Sequence, residues 1–134
     1  MRRTALLGLI VLQACVSHGV QPLKPHDLAT APYQGIVSHS LTGSLFYQGD
    51  CLLFRDDGRT VQLLPVWPVG SVFNGTAVTF QEPGRSSQPI VMGEEFVMEG
   101  RQLDWAAMSH PAYAQFERQC GAQPFLVSHV RPAN

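Results

Sequence analysis

Short apolar runs separated by turn dipeptides fill the chain from residue 41 onward, and this spacing restricts the fold more than any other feature. The runs recur about every 8 to 12 residues, as strands do in small sandwiches and barrels. Glycine beside aspartate or asparagine favours a tight reversal between two strands. These turn signals are Gly49-Asp50, Asp57-Gly58 and Asn74-Gly75, and Gly100-Arg101 is predicted to close a further hairpin. The pattern therefore predicts a mainly β protein.

Residues 61–67 form the one apolar run that does not fit a regular central strand. Their alternation slips at Leu63-Leu64, and Pro65 has no N–H to donate to a neighbouring strand. We therefore expect a bulge or an edge position at this point.

A single helix is predicted near the end of the chain. Ser109 offers an N-terminal cap, Pro111 suits a first turn and Gly121 is a natural stop. The apolar face of this helix carries Tyr113, Phe116 and Cys120, and a last strand follows at residues 125–130. These elements predict a small OB-like barrel of five to six strands with one C-terminal helix.

The first fifteen residues have the pattern of a bacterial lipoprotein signal. Arg2 and Arg3 precede an apolar stretch at residues 5–12, which is too short to span a bilayer but suits a signal segment. Leu12 and Ala14 stand before Cys15 as in a lipobox, so we expect residues 1–14 to be removed and Cys15 to be lipidated. A rival cut after Gly19 would discard Cys15 and leave a soluble secreted protein.

Residues 15–40 are predicted to form a flexible, lipid-anchored tether, with the barrel domain at 41–134. Pro22, Pro25 and Pro32 interrupt any helix in this segment. The preceding signal, the tether and a single domain account for the whole chain.

Cys51 and Cys120 remain as an even pair if Cys15 carries lipid. In the oxidising compartment that export implies, such a pair predicts one disulfide closing a loop of about 70 residues. Two buried free thiols are the alternative. A metal pair is less favoured, because no histidine or cysteine stands at ligand spacing from either residue.

Composition and motifs argue against several functions. Charged residues make up 14% of the chain, and the arginines are scattered, so no basic surface for nucleic acid is predicted. The chain has no nucleophile elbow and no glycine-rich phosphate loop before its helix. None of the histidines is spaced as a metal ligand. We therefore expect neither an enzyme nor a bound metal or cofactor.

Three aromatic residues are the candidate contact positions: Trp67, Trp105 and Tyr113. At the mouth of a barrel, such side chains can stack on sugars or anchor a partner. The simpler interpretation is that they fill the core of a small domain, and it is favoured for both tryptophans.

Five short segments together resemble a family of small bacterial envelope domains, mostly without an assigned function. The segments are Gly49-Asp50-Cys51-Leu52, Val66-Trp67-Pro68, Met92-Gly93-Glu94, Cys120-Gly121 and Pro124-Phe125-Leu126-Val127. The resemblance covers residues 43–130 and departs from the family at Asp50 and at Phe125, where tryptophan is usual. It implies a β-rich, disulfide-closed domain and no activity.

The sequence as a whole predicts a lipoprotein of the bacterial cell envelope. Val16 follows the cysteine, where aspartate would favour the inner membrane, so the outer membrane facing the periplasm is preferred. The expected role is that of a structural or interaction module with an envelope protein as partner. The alternative is a barrel that binds a small ligand such as a saccharide.

Overall fold

The computed structural model describes residues 23–58, 60–85 and 88–134. These ranges contain nine strands, one 3₁₀ turn at Trp105–Ala107 and one helix, α1, at Tyr113–Cys120. The strands are β1 (Thr30–Ala31), β2 (His39–Gln48), β3 (Cys51–Asp56), β4 (Gln62–Pro68), β5 (Val72–Phe73), β6 (Ala77–Thr79), β7 (Pro89–Val91), β8 (Phe96–Gln102) and β9 (Gln123–Pro132). The signal, Cys15 and the rival cut after Gly19 lie outside the described residues.

Five strands close into a barrel in the order β2-β3-β4-β9-β8 and back to β2. All neighbours are antiparallel except β4 and β9, which run parallel. β1 adds a sixth strand, parallel to the end of β4. The predicted mainly β fold, an OB-like barrel of five to six strands with one helix near its C-terminus, is confirmed.

A separate three-stranded sheet, β5-β6-β7, is inserted between barrel strands β4 and β8. The Asn74 side chain holds its first turn, accepting hydrogen bonds from the N–H groups of Thr76 and Ala77, both at 2.9 Å. Phe73, Val78 and Ile90 from this sheet join the same apolar cluster as the barrel interior. The insertion therefore extends the core rather than forming a second domain.

Two glycines permit the close strand approaches that the barrel requires. A Cβ at Gly100 would lie 1.9 Å from the carbonyl oxygen of Leu126, and one at Gly43 would lie 2.1 Å from that of Arg55. Gly100 sits inside β8 next to a register shift, so the prediction that it closes a hairpin is wrong. A glycine in an apolar run can mark a turn, but inside a strand it also marks a bulge or a close approach of two backbones, and Gly100 is of this second kind.

Pro65 lies inside β4 and is buried, between two stretches of strand pairing. β4 pairs with β3 only at Gln62 and Leu63, and with β1 only at Trp67 and Pro68. The N–H of Trp67 donates to the carbonyl of Ala29, the residue before β1, and strand alternation places the Pro65 nitrogen on the same edge. The missing donor therefore falls where this edge of β4 has no partner strand, which is the edge position predicted for Pro65.

Two apolar clusters lie on opposite sides of the barrel wall. The inner cluster fills the barrel and includes Phe54, Trp67 and Phe125, all 0% exposed. The outer cluster lies between the barrel and α1, and includes Phe116 and Leu126. β4 contributes to both clusters, which explains why its apolar residues do not alternate with polar ones.

The described part of the segment predicted as a tether packs on the barrel. Leu23 and Ala29 are 4% and 3% exposed and belong to the outer cluster. The Ala29 carbonyl accepts a 2.8 Å hydrogen bond from the N–H of Trp67, and β1 follows directly. Prolines exclude a helix here but allow extended chain to pack on a sheet edge. The folded unit therefore includes residues well before the predicted boundary at 41.

Helix α1 ends as predicted but begins differently. Gly121 adopts the left-handed conformation at φ 63° after the last turn. The cap predicted at Ser109 is wrong, because the N-cap residue is Ala112 and no side chain caps the helix there. In the turn before the helix, Nδ1 of His110 accepts a 3.1 Å hydrogen bond from the N–H of Ala112. Among the residues described, no helix is both long and apolar enough to cross a bilayer.

Candidate functional site

The predicted disulfide between Cys51 and Cys120 is present. It joins the first residue of β3 to the last residue of α1, across a sequence separation of 69. The bond thereby fixes the helix over the outer cluster, where Cys51 itself is buried. The bond is therefore a structural link between the helix and the barrel.

Trp67 lies in the barrel interior with no exposed surface, so it is a core residue and not a contact position. Its ring packs edge-on against Phe80, with 6.1 Å between the ring centroids. Its indole Nε1 has no hydrogen-bond partner among the described residues. The simpler interpretation of this tryptophan as core is therefore the correct one.

Trp105 and Tyr113 are half-buried beside the outer cluster, and their polar atoms are engaged within the chain. The Trp105 Nε1–H donates to the Ala122 carbonyl at 3.0 Å, and the Tyr113 hydroxyl donates to the Thr30 carbonyl at 2.6 Å. Burial raises the pKa of Tyr113. Tyr113 also lines an open groove of about 450 Å³ between α1 and the segment before β1. The hydrogen bonds of Trp105 and Tyr113 thus hold the helical region and the N-terminal segment to the barrel.

Glu82 and His129 form a pair of ionisable side chains that has no counterpart among the sequence-based candidates. Oε1 of Glu82 lies 2.5 Å from Nδ1 of His129. The Glu82 side chain is only 9% exposed, while that of His129 is 33% exposed. A carboxylate only accepts hydrogen bonds, so Nδ1 must carry the hydrogen, and the outer nitrogen of the ring remains available for another contact.

Two more side chains complete the surroundings of this pair. Nε of Arg85 lies 3.6 Å from the same Glu82 oxygen, and the Arg85 side chain is 69% exposed. The Tyr33 ring stands edge-on to the His129 ring, with 6.3 Å between centroids. The N-terminal segment, the loop after β6 and strand β9 thus meet at Glu82.

Glu82 and Arg85 both line two open cavities. The first, of about 410 Å³, continues along Phe80, Gln88 and Val130. The second, of about 350 Å³, is bounded on its far side by Tyr33. We call this region, defined by Tyr33, Glu82, Arg85, Gln88 and His129, the Glu82 cleft. Its volume lies in the range of sites for small molecules.

No local pattern in the sequence could have revealed the Glu82 cleft. Glu82 and His129 are 47 residues apart. Glu82 stands in a Gln81-Glu82-Pro83 loop, which has the composition of any exposed turn. His129 lies on the last strand, and its pairing with an acid depends on how the inserted sheet folds back on the barrel.

A pair of carboxylates lies just before β8. The Asp57 side chain shares a hydrogen bond with Glu95 and repels its charge, which raises the pKa of Glu95. Both residues are exposed. In the described ranges no three histidine, cysteine, aspartate or glutamate side chains are placed to hold a metal ion.

Comparisons of the chain with protein-family models, with curated proteins and with solved structures found no match.

Proposed function

We propose that this protein is a lipoprotein of the bacterial cell envelope, anchored through Cys15, whose barrel works by contact with another envelope component. The basic start, the short apolar run and Ala14 before Cys15 support export and lipidation. The disulfide between Cys51 and Cys120 fits the oxidising compartment beyond the inner membrane. The residue after the cysteine, Val16, favours the outer membrane and a domain facing the periplasm.

The packing of Leu23 is the observation that best supports a role in contacting another envelope component. Its N–H donates to the Gln119 side chain at 3.0 Å, and its own side chain is buried. The chain between Cys15 and Leu23 can therefore extend no farther than about 29 Å, from the reach of about 3.6 Å per residue. An anchored barrel would stay beside the bilayer, with the end of α1 near the attachment point, where partners at the membrane surface are within reach.

Exposed apolar side chains offer a surface for such a partner. Val69 and Val72, 64% and 60% exposed, flank the turn between β4 and β5. Exposed apolar groups gain free energy when a partner covers them. A photoreactive amino acid at Val72 should therefore crosslink to an envelope protein in intact cells, whereas one at exposed Gln48 should not. Equal crosslinking from both positions would contradict a specific contact.

The anchor is tested by feeding cells an alkyne-tagged fatty acid. The wild-type protein should incorporate the tag, and Cys15→Ser should not, because serine lacks the thiol that carries the lipid. Ser17→Ala, which retains the cysteine, serves as the matched control and should be labelled like the wild type. An untagged wild-type protein beginning at Val20 would overturn the proposal in favour of the soluble form.

A further inference from the structure

We propose that the Glu82 cleft binds a neutral saccharide, of the size of one or two sugar rings. This site uses none of the aromatic residues that the sequence analysis selected. It also goes beyond the contact role proposed above, because it requires neither the lipid anchor nor a protein partner.

The first argument is an available oxygen on a buried carboxylate. Within the described part of the chain, both polar contacts of Glu82 use Oε1, and none uses Oε2. Oε2 is not among the fully buried side-chain atoms that lack a partner, so it reaches the open space of the cavities, where water or a ligand hydroxyl can donate to it. Glu82 lines both cavities, so a ligand seated there can donate a hydroxyl to Oε2.

The second argument is the balance of charge in the cleft. The negative charge of Glu82 is accompanied by the guanidinium of Arg85, and Arg131 at the rim is paired with Glu99 at 2.7 Å. An anionic ligand would be repelled by Glu82, and a cationic one by Arg85. Gln88 adds an amide that both donates and accepts. A neutral molecule carrying many hydroxyls, which also donate and accept, suits this set best.

The third argument is the apolar surface next to these polar groups. The ring of Tyr33 bounds one cavity, while Phe80, Val130 and Pro132 line the other. Sugar rings present C–H groups on one face and hydroxyls at their edges. Small-ligand sites combine such apolar walls with a few placed polar groups. Volumes of about 410 and 350 Å³ accommodate one sugar ring each.

The test is a titration followed by NMR of the ¹⁵N-labelled full-length protein, held in a detergent without a sugar headgroup. The probes are N,N′-diacetylchitobiose, maltose and cellobiose. At least one of them should shift the backbone amide signals of Tyr33, Glu82 and His129, with a dissociation constant on the order of 1 mM. Glu82→Gln should weaken that binding by about tenfold or more, because the amide replaces one acceptor oxygen with a donor. Glu117→Gln, at an exposed position on α1, is the matched control and should bind like the wild type.

Tyr33→Ala provides a second variant in case Glu82→Gln disturbs the loop. It should weaken binding while leaving the amide signals of the barrel interior unchanged. The proposal is overturned if none of the three disaccharides shifts the cleft signals at about 10 mM, ten times the expected constant. It is also overturned if both variants bind as the wild type does. Failure here leaves the fatty-acid labelling of Cys15 unaffected, so the two proposals fail separately.

Discussion

Cys51 and Cys120 connect the start of β3 to the end of α1, and the bond between them closes a loop with a sequence separation of 69. The loop contains β4, the inserted sheet and β8, so most of the fold lies between the two cysteines. Breaking the bond should loosen the helix and the outer cluster together.

The first prediction concerns this disulfide. Cys51→Ser combined with Cys120→Ser should lower the free energy of unfolding by roughly 4 kcal/mol, from the loop-entropy model for a loop of this length. Urea unfolding with and without a reductant measures the loss. The reduced wild type should match the double variant. A wild-type midpoint that does not move on reduction would contradict a stabilising role for the bond.

The second prediction concerns the close approach at Gly100. Gly100→Ala should cost about 1–3 kcal/mol or more, because its Cβ would meet the Leu126 carbonyl and force the strands apart. Gly58→Ala is the control, since the nearest atom to its Cβ would be a side-chain oxygen at 3.3 Å. The control should change stability by less than about 1 kcal/mol. Thermal unfolding measures the stability of both variants. An equal loss of stability in the two would argue against strand crowding at Gly100.

The third prediction separates the two tryptophans. Trp67 has no exposed surface, whereas Trp105 is half-buried. In Trp105→Phe the remaining fluorescence comes from Trp67 alone, so it should be blue-shifted and resistant to quenching by iodide. Iodide should quench part of the emission of Trp67→Phe. Strong quenching of Trp67 would show that the barrel interior opens to solvent and would restore this residue as a contact candidate.

The fourth prediction concerns pH and the pair of Asp57 and Glu95. Asp57 raises the pKa of Glu95, so the folded state binds a proton more tightly than the unfolded state does. The resulting stabilisation is fully present at pH values below the ordinary pKa of glutamate, about 4.3, and is lost as the pH rises through the raised pKa of Glu95. Asp57→Asn should therefore raise the melting temperature at neutral pH and give no such gain in acid. A gain of equal size at both pH values would contradict repulsion as its cause.

The sequence predicted those features whose causes are local. Gly49-Asp50 turns β2 into β3, Asn74 and Gly75 turn β5 into β6, and Gly121 ends α1, because each conformation depends on the residue types at that position. The cysteine pair was also predictable, since an even pair in an exported chain implies a disulfide.

The features that the sequence did not predict depend on contacts between distant residues. Leu23 and Ala29 stand in a proline-interrupted segment that resembles a linker. They join the fold through residues far along the chain, Leu23 through the Gln119 side chain and Ala29 through the N–H of Trp67. Helix α1 begins at Tyr113, after an N-cap residue, Ala112, that has no side-chain cap, so the capping signal of Ser109 is not used. The contact of Glu82 with His129 depends on the position of the inserted sheet and has no local signal.

The mass of the intact protein isolated from its native host tests the central claim most directly. We expect a polypeptide beginning at Cys15, with the added mass of its acyl chains and with Cys51 and Cys120 oxidised. A mass that includes residues 1–14 and no lipid would contradict it.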